Sequence, residues 1–291
     1  MAAVDLPVEL DTPVFARIYA RYCDQTRIRN VERVEWPSAD EFRERIVPAG
    51  YPVVMRFNQP ALSESIFESL AVHYGHLRLQ VRDEDYAAPL TYAHERKYVE
   101  LTLADYLADL KVLPLSKDET DVEQSGSPAS KVPPRYAGNQ PLSAEVAGLV
   151  GISPPPFYPA HNYEPPAFWL GGPGSITPLH KDSTDNFAFH VLGQKRWTLF
   201  PPRDVPFLAM TRPKPDDAID FATSSIDLRQ PDPGKHPQFS EAVPVTVVVS
   251  GSEMLYLPAG WGHFVETIQT SLMVNFWLGR DAFRALWLGA S

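Results

Sequence analysis

The tightest constraint on this chain is a short spacing that must be completed over a long distance. His180 and Asp182 form an H-x-D pair within WLGGPGSITPLHKDSTDNFAFHVLGQKRWTLFPP, residues 169–202. On a β-strand, side chains i and i+2 project to the same face. An imidazole and a carboxylate would there enter one space side by side. A third donor of the right kind is His263, in LYLPAGWGHFVE, 81 residues beyond Asp182. Leu255 to Pro258 is a short apolar run ended by Pro258, Gly260 and Gly262. It reads as a strand leaving through a turn, with His263 at the start of the next strand. A fold in which the three meet must bring early and late strands together.

Two imidazoles and one carboxylate on one side of a metal leave the opposite positions open, the donor set of non-haem Fe(II) oxygenases. Structural zinc takes four closed protein ligands, commonly including Cys. The single cysteine, Cys23, is far away in sequence. Manganese or nickel suits the same donors. A lone H-x-D is also common as a hydrogen-bonded surface pair, so spacing alone leaves both readings open.

The surrounding residues are more specific. W-L-G-G-x-G-S-I-T-P-L-H-x-D is followed by Asn186, then G-Q-K-R-W-T-L-F-P-P, L-P-A-G-W-G-H and V-N-F-W. Over about Tyr136 to Leu278 this series resembles the JmjC family of Fe(II)/2-oxoglutarate oxygenases. The likeness is to its small, cupin-like hydroxylase branch, which includes the asparaginyl hydroxylase of hypoxia-inducible factor. The resemblance implies a mainly β fold with flanking helices, a double-stranded β-helix of the jelly-roll or cupin type. It implies Fe(II) held by His180, Asp182 and His263 as the catalytic centre, 2-oxoglutarate as cosubstrate, and O2.

The same resemblance suggests how the cosubstrate is held. Lys195 would anchor its distal carboxylate, since a dianion in a narrow barrel needs a fixed cation. The sequence places Lys195 on a return strand after a turn at Gly193, sharing a face with Trp197 and Leu199. The plain alternative is an exposed lysine in a hairpin turn. Thr177, in T-P-x-H, and Tyr136, in YAGNQPL, would donate hydroxyls to that carboxylate; otherwise they are a turn residue and a ring packed on the barrel wall. Asn186 and Asn275 are amides in apolar runs, and buried amides need partners. The resemblance suggests contacts to the cosubstrate or a neighbouring water. Trp169 and Trp277 would line the cavity mouth and flank a substrate side chain, or simply pack in the core. His190 lies eight residues past Asp182, too far along a strand to share its ion, and reads as a core or cavity histidine.

The 291 residues suit one large domain, or a domain with an N-terminal extension. The reading divides them into an α/β support region and linker over 1–135, the barrel over 136–280 and a short C-terminal helix over 281–291. Helices are expected at 12–28, 39–47, 63–75 and 102–111, with strands at 51–57 and 76–83. Residues 116–135 are polar and proline-rich and read as a loop; 211–242 read as an insertion between barrel strands. Gly171, Gly172 and Gly174 read as turn glycines, because no G-K-[ST] and no helix follows.

Composition narrows the partners. With 26 basic and 36 acidic residues, net charge −10, the chain lacks the clustered positive charge of a general nucleic-acid binder. One cysteine permits no intrachain disulfide and fits a reducing compartment, cytoplasmic or, in a eukaryote, nuclear. A buried structural thiol is the expected role of Cys23. No basic-then-apolar leader and no membrane span is expected. The leading expectation is a hydroxylase of a protein or peptide side chain. A small-molecule or modified-RNA oxygenase, a different metal-dependent cupin enzyme and a non-catalytic metal-binding cupin scaffold stay as alternatives. The C-terminal helix is a candidate homodimer contact.

Overall fold

The computed structural model describes residues 13–22, 25–57, 62–83, 97–111, 134–211 and 222–288. Cys23 and nearly all of the 116–135 segment lie outside the described residues. Thirteen strands run in chain order: β1 Glu32–Glu35, β2 Val53–Arg56, β3 Arg78–Arg82, β4 Tyr98–Thr102, β5 Tyr136–Pro141, β6 Ala167–Gly171 and β7 Ile176–Lys181. Then come β8 Asn186–Phe200, β9 Met210–Thr211, β10 Ala222–Ser224, β11 Val245–Ser250, β12 Glu253–Leu257 and β13 Gly262–Trp277.

β8 and β13 organise the rest. They pair antiparallel from Gly262 opposite Phe200 to Trp277 opposite Asn186. Each changes sheet halfway along. The first part of β8 pairs with β12 and the second with β11. The first part of β13 pairs with β7 and the second with β6. Two four-stranded faces result, β12–β8–β13–β6 and β11–β8–β13–β7, which is the double-stranded β-helix.

This connectivity corrects the expected hairpin at Gly193. β8 is a single strand that bends there and runs on against β13, so Lys195 begins no return strand. Gly193 has φ +77, and a Cβ on it would come within 2.1 Å of the Thr270 carbonyl oxygen. Only glycine fits where the two long strands cross from one sheet to the other.

The front region is hydrogen-bonded into the same sheet. β2 pairs with β12 and β1 lies beyond it, while β5 pairs with β6 and is followed by β3 and β4. The first helix is Pro13–Tyr22. The second is capped by Ser38, which accepts the Glu41 N–H, and passes through a wider turn over Phe42–Ile46. It stops at Gly50, φ +67. Helices Ser65–Tyr74 and Leu103–Asp109 match expectation in place and are shorter. The C-terminal helix Arg280–Leu288 buries Phe283. Among the described residues no helix is long and apolar enough to cross a membrane.

The period-two alternation of β8 sorts its side chains into two environments. Phe187, Phe189 and Val191 face outward into a core shared with Phe42, Phe157, Tyr256 and Phe276. There Phe42 stacks on Phe157 at 4.0 Å and meets the edge of Tyr256 at 4.9 Å. Such pairs are worth roughly 0.5–1.5 kcal/mol beyond the area they bury. Asn186, Ala188, His190, Lys195, Trp197 and Leu199 face inward. Both faces pack, since Ala188, Trp197 and Leu199 join a second apolar cluster, and the inner one also carries the polar side chains of Asn186, His190 and Lys195.

Candidate active site

β7 delivers two of the expected side chains through a bulge. His180 stands opposite His263, and Thr177 opposite Val265, so β7 spends three residues where β13 spends two. His263 and Val265 point the same way, hence so do Thr177 and His180 despite their odd spacing. Pro178, which has no N–H to give a ladder, sits in that bulge. Asp182 follows one residue after β7 ends.

The metal-type donors of His180, Asp182 and His263 all lie within 4.8 Å of one another. His180 Nε2 is 3.7 Å from Asp182 Oδ1, and His263 Nε2 is 3.9 Å from Asp182 Oδ2. His180 Nδ1 is 2.7 Å from the Pro178 carbonyl oxygen, and His263 Nδ1 is 3.2 Å from that of Trp261. A carbonyl only accepts, which assigns the proton to Nδ1 and leaves each Nε2 lone pair for a metal.

Asp182 is held in turn. Its Oδ2 accepts from Asn186 Nδ2 at 2.8 Å and from Trp277 Nε1 at 3.0 Å. Asn186 Oδ1 accepts from Asn275 Nδ2 at 2.7 Å. Burial pushes the Asp182 carboxyl up, but His263, His180 and these donors outweigh it, and it lies below its ordinary value. His263 is lowered mainly by burial, against the pull of Asp182 and the Trp261 carbonyl. An ionised carboxylate beside imidazoles whose Nε2 lone pairs are free is the state that binds a divalent cation.

Lys195 lies deeper, with no exposed surface. Its Nζ donates to Thr267 Oγ1 at 2.8 Å and to Tyr136 Oη at 3.2 Å, and sits 5.0 Å from the Tyr136 ring centre. Among the described residues no carboxylate pairs with it. Tyr136 is placed by β5, whose Ala137 N–H donates to the Tyr106 hydroxyl, while that hydroxyl donates to the Leu170 carbonyl. Trp169 packs on Tyr136 at 5.9 Å, and the buried Arg82 guanidinium lies about 5.5 Å from both rings.

The structure gathers His180, Asp182, His263, Asn186, Asn275 and Trp277 in one contact network and Lys195, Tyr136 and Trp169 in another, with two roles differing in detail. Trp277 is only partly exposed and orients Asp182 through its N–H. Asn275 reaches the site through Asn186. Sequence reading missed Trp197, whose ring stacks on His263 at 5.7 Å and whose N–H donates to His190 Nε2 at 3.1 Å. His190 is accordingly a buried neutral acceptor, its pKa lowered by burial and then by Lys195. The shared face of Lys195 and Trp197 was the available signal. It also missed Thr267, for which no local signal existed.

Several known proteins match part of this chain in sequence. Human HSPB1-associated protein 1 is 38% identical over 123 residues, which are 42% of this chain and 25% of that protein. The human bifunctional peptidase and (3S)-lysyl hydroxylase JMJD7 is 33% identical over 126 residues, 38% of this chain and 40% of that protein. Lysine-specific demethylase 8 of Xenopus tropicalis is 30% identical over 109 residues, 38% of this chain and 24% of that protein. The matched regions span between about a quarter and two fifths of these relatives. The profile of the cupin-like domain covers far more, residues 39–281, and on that match the chain belongs to the cupin-like domain family, with the JmjC-type character its motifs resemble.

Proposed function

We propose that this chain is an Fe(II)- and 2-oxoglutarate-dependent oxygenase that hydroxylates a protein side chain. The observation that carries the reading is Lys195, a buried ammonium with only neutral partners, inside the same barrel as an open His–Asp–His set. A buried charge without a counter-charge is costly, and an acidic ligand entering the barrel removes that cost. A plain metal-binding scaffold has no use for such a cation.

Iron with its 2-oxo acid supplies the oxidising chemistry when bound. The chain supplies position. His180, Asp182 and His263 would hold the ion from one side. Lys195, with Tyr136 and Thr177, would grip the distal carboxylate. Asn186 and Trp277 keep Asp182 turned toward the imidazoles, and Asn275 keeps Asn186 turned toward Asp182. A protein side chain as substrate is favoured by the named lysyl hydroxylase among the relatives and by the acidic balance, which disfavours RNA.

The test is succinate formation from 2-oxoglutarate with added Fe(II), followed by a search for peptides heavier by one oxygen atom. Turnover coupled to such a peptide supports the proposal. No succinate, with or without a broad peptide and metabolite panel, favours the scaffold reading.

A further inference from the structure

The G-G-P-G-S turn between β6 and β7 has no part in the chemistry above, yet it is tied closely to the lysine. Gly174 N–H donates to the Thr267 carbonyl at 2.9 Å, and Thr267 N–H donates to the Ser175 carbonyl at 2.8 Å. The turn is clamped to β13 at the residue that contacts Lys195. Side chains repeat the clamp. Ser175 Oγ lies 2.8 Å from the Gly172 carbonyl oxygen and 2.8 Å from Thr267 Oγ1. Ser175, Thr267 and Lys195 are all buried, with 0, 4 and 0% of their surface exposed.

Proton counting gives this contact series a direction. The Gly172 carbonyl can only accept, so the single Ser175 hydroxyl proton goes there. The Ser175–Thr267 contact then needs the Thr267 proton, and Thr267 Oγ1 is left to accept from the ammonium. The series runs Lys195 → Thr267 → Ser175 → Gly172 carbonyl and ends on rigid backbone. Gly171 makes room for it: a Cβ there would lie 2.4 Å from Ser175 Oγ and 2.6 Å from the Tyr136 ring.

We infer that Ser175 and Thr267 are positioning residues for the cosubstrate carboxylate, acting through Lys195. The inference rests on the reading of Lys195 as the carboxylate anchor. The hydroxyl chain fixes one ammonium proton on Thr267 and the ammonium itself in place, without adding any negative charge that would compete with the ligand. A carboxylate in either position would neutralise Lys195 before the cosubstrate arrived. The turn glycines are thereby part of the anion pocket, although they touch no anion.

The full chain, loaded with Mn(II), is titrated with 2-oxoglutarate by calorimetry, alongside Mn(II) affinity and melting temperature. Thr267→Val is expected to weaken 2-oxoglutarate binding about tenfold, the scale of one lost hydrogen bond to a charged group, with Mn(II) affinity unchanged. Thr267→Ser, which restores the hydroxyl, should return binding to within about twofold of the original. Ser175→Ala should weaken binding by a smaller factor. The double variant should be no weaker than Thr267→Val alone, because serial links do not add. Unchanged affinity in Thr267→Val, no rescue by Ser, or additive losses would overturn the inference while leaving the anchoring role of Lys195 intact. If Thr267→Val does not fold, Ser175→Ala carries the test, and unchanged affinity there overturns it. No 2-oxoglutarate binding by the unmodified protein overturns this inference together with the proposed function.

Discussion

The two ends of the barrel interior treat charge in opposite ways. At the outer end Asp182 receives two N–H donors, faces two imidazoles, and titrates below its ordinary value. Its carboxylate faces the Nε2 atoms of both imidazoles. At the inner end Lys195 has two hydroxyls and a ring face, all neutral. On the proposed function, the first end would take a cation and the second an anion. A ligand that is acidic at one terminus and chelating at the other fits both ends at once. On the proposed function, the difference would let the interior select its cosubstrate by charge polarity.

Asp182→Ala tests the cation end and carries the largest expected effect. Losing an outer-shell partner costs roughly 10–100-fold in metal affinity; losing the carboxylate itself should exceed that range, read as Mn(II) or Fe(II) dissociation constants. Retained binding would show that the ion sits elsewhere. Lys195→Ala tests the anion end. It should weaken 2-oxoglutarate about 100-fold while leaving metal affinity within about twofold, because truncating one partner of a buried charged pair costs roughly 2–5 kcal/mol. A parallel fall in metal affinity would mean that the two ends are not separable.

Asp185 sharpens the contrast, since it is a second buried carboxylate only three residues from Asp182. It accepts from Tyr256 Oη and the Ala259 N–H, both at 2.9 Å, and burial nevertheless pushes it up to about 6. Its folded value lies above the unfolded one, so the native state binds the proton more tightly. The stabilisation is full below about pH 4 and is lost as pH rises through about 6, amounting to roughly 2–3 kcal/mol. Asp185→Asn should flatten this part of the stability profile between pH 4 and 6.5 in denaturant titrations. An unchanged slope would assign the pH dependence to other groups. The smallest effect belongs to Trp277→Phe, which keeps the ring and removes the N–H to Asp182. Metal affinity should fall about tenfold with 2-oxoglutarate affinity in the metal-loaded protein little changed. Equal losses of both would place Trp277 in the cosubstrate pocket instead.

Much of this polarity was legible before the fold was seen, and the reason is local chemistry. H-x-D, G-W-G-H and Q-K-R-W each occupy a few consecutive residues and stand in the order the family resemblance supplies, although Asp182 lies just past the end of β7 and not on the strand. The flanking helices expected at 39–47, 63–75 and 102–111 were legible in place, with ends that differ by a few residues. The corner at Gly193 was not, because a tight turn and a sheet-crossing bend ask the same backbone freedom of one residue. Only the pairing of β8 with β13 along its whole length separates them. The wiring of Asn275 through Asn186 to Asp182 was also out of reach. Each amide is placed by a different strand, and a spacing of 89 residues carries no register. Thr267 was hidden for the same reason: it looks like any threonine in a β-rich run until Lys195 lands opposite it.

The most direct test of the account compares 2-oxoglutarate with 2-oxobutyrate, which keeps the chelating 2-oxo acid and lacks the distal carboxylate. Calorimetry on the Mn(II)-loaded chain should show a strong preference for the dicarboxylate, and Lys195→Ala should abolish that preference. Equal affinity for the two acids in the unmodified protein, or an undiminished preference after Lys195→Ala, would contradict the claim that a buried ammonium opposite the metal defines this pocket.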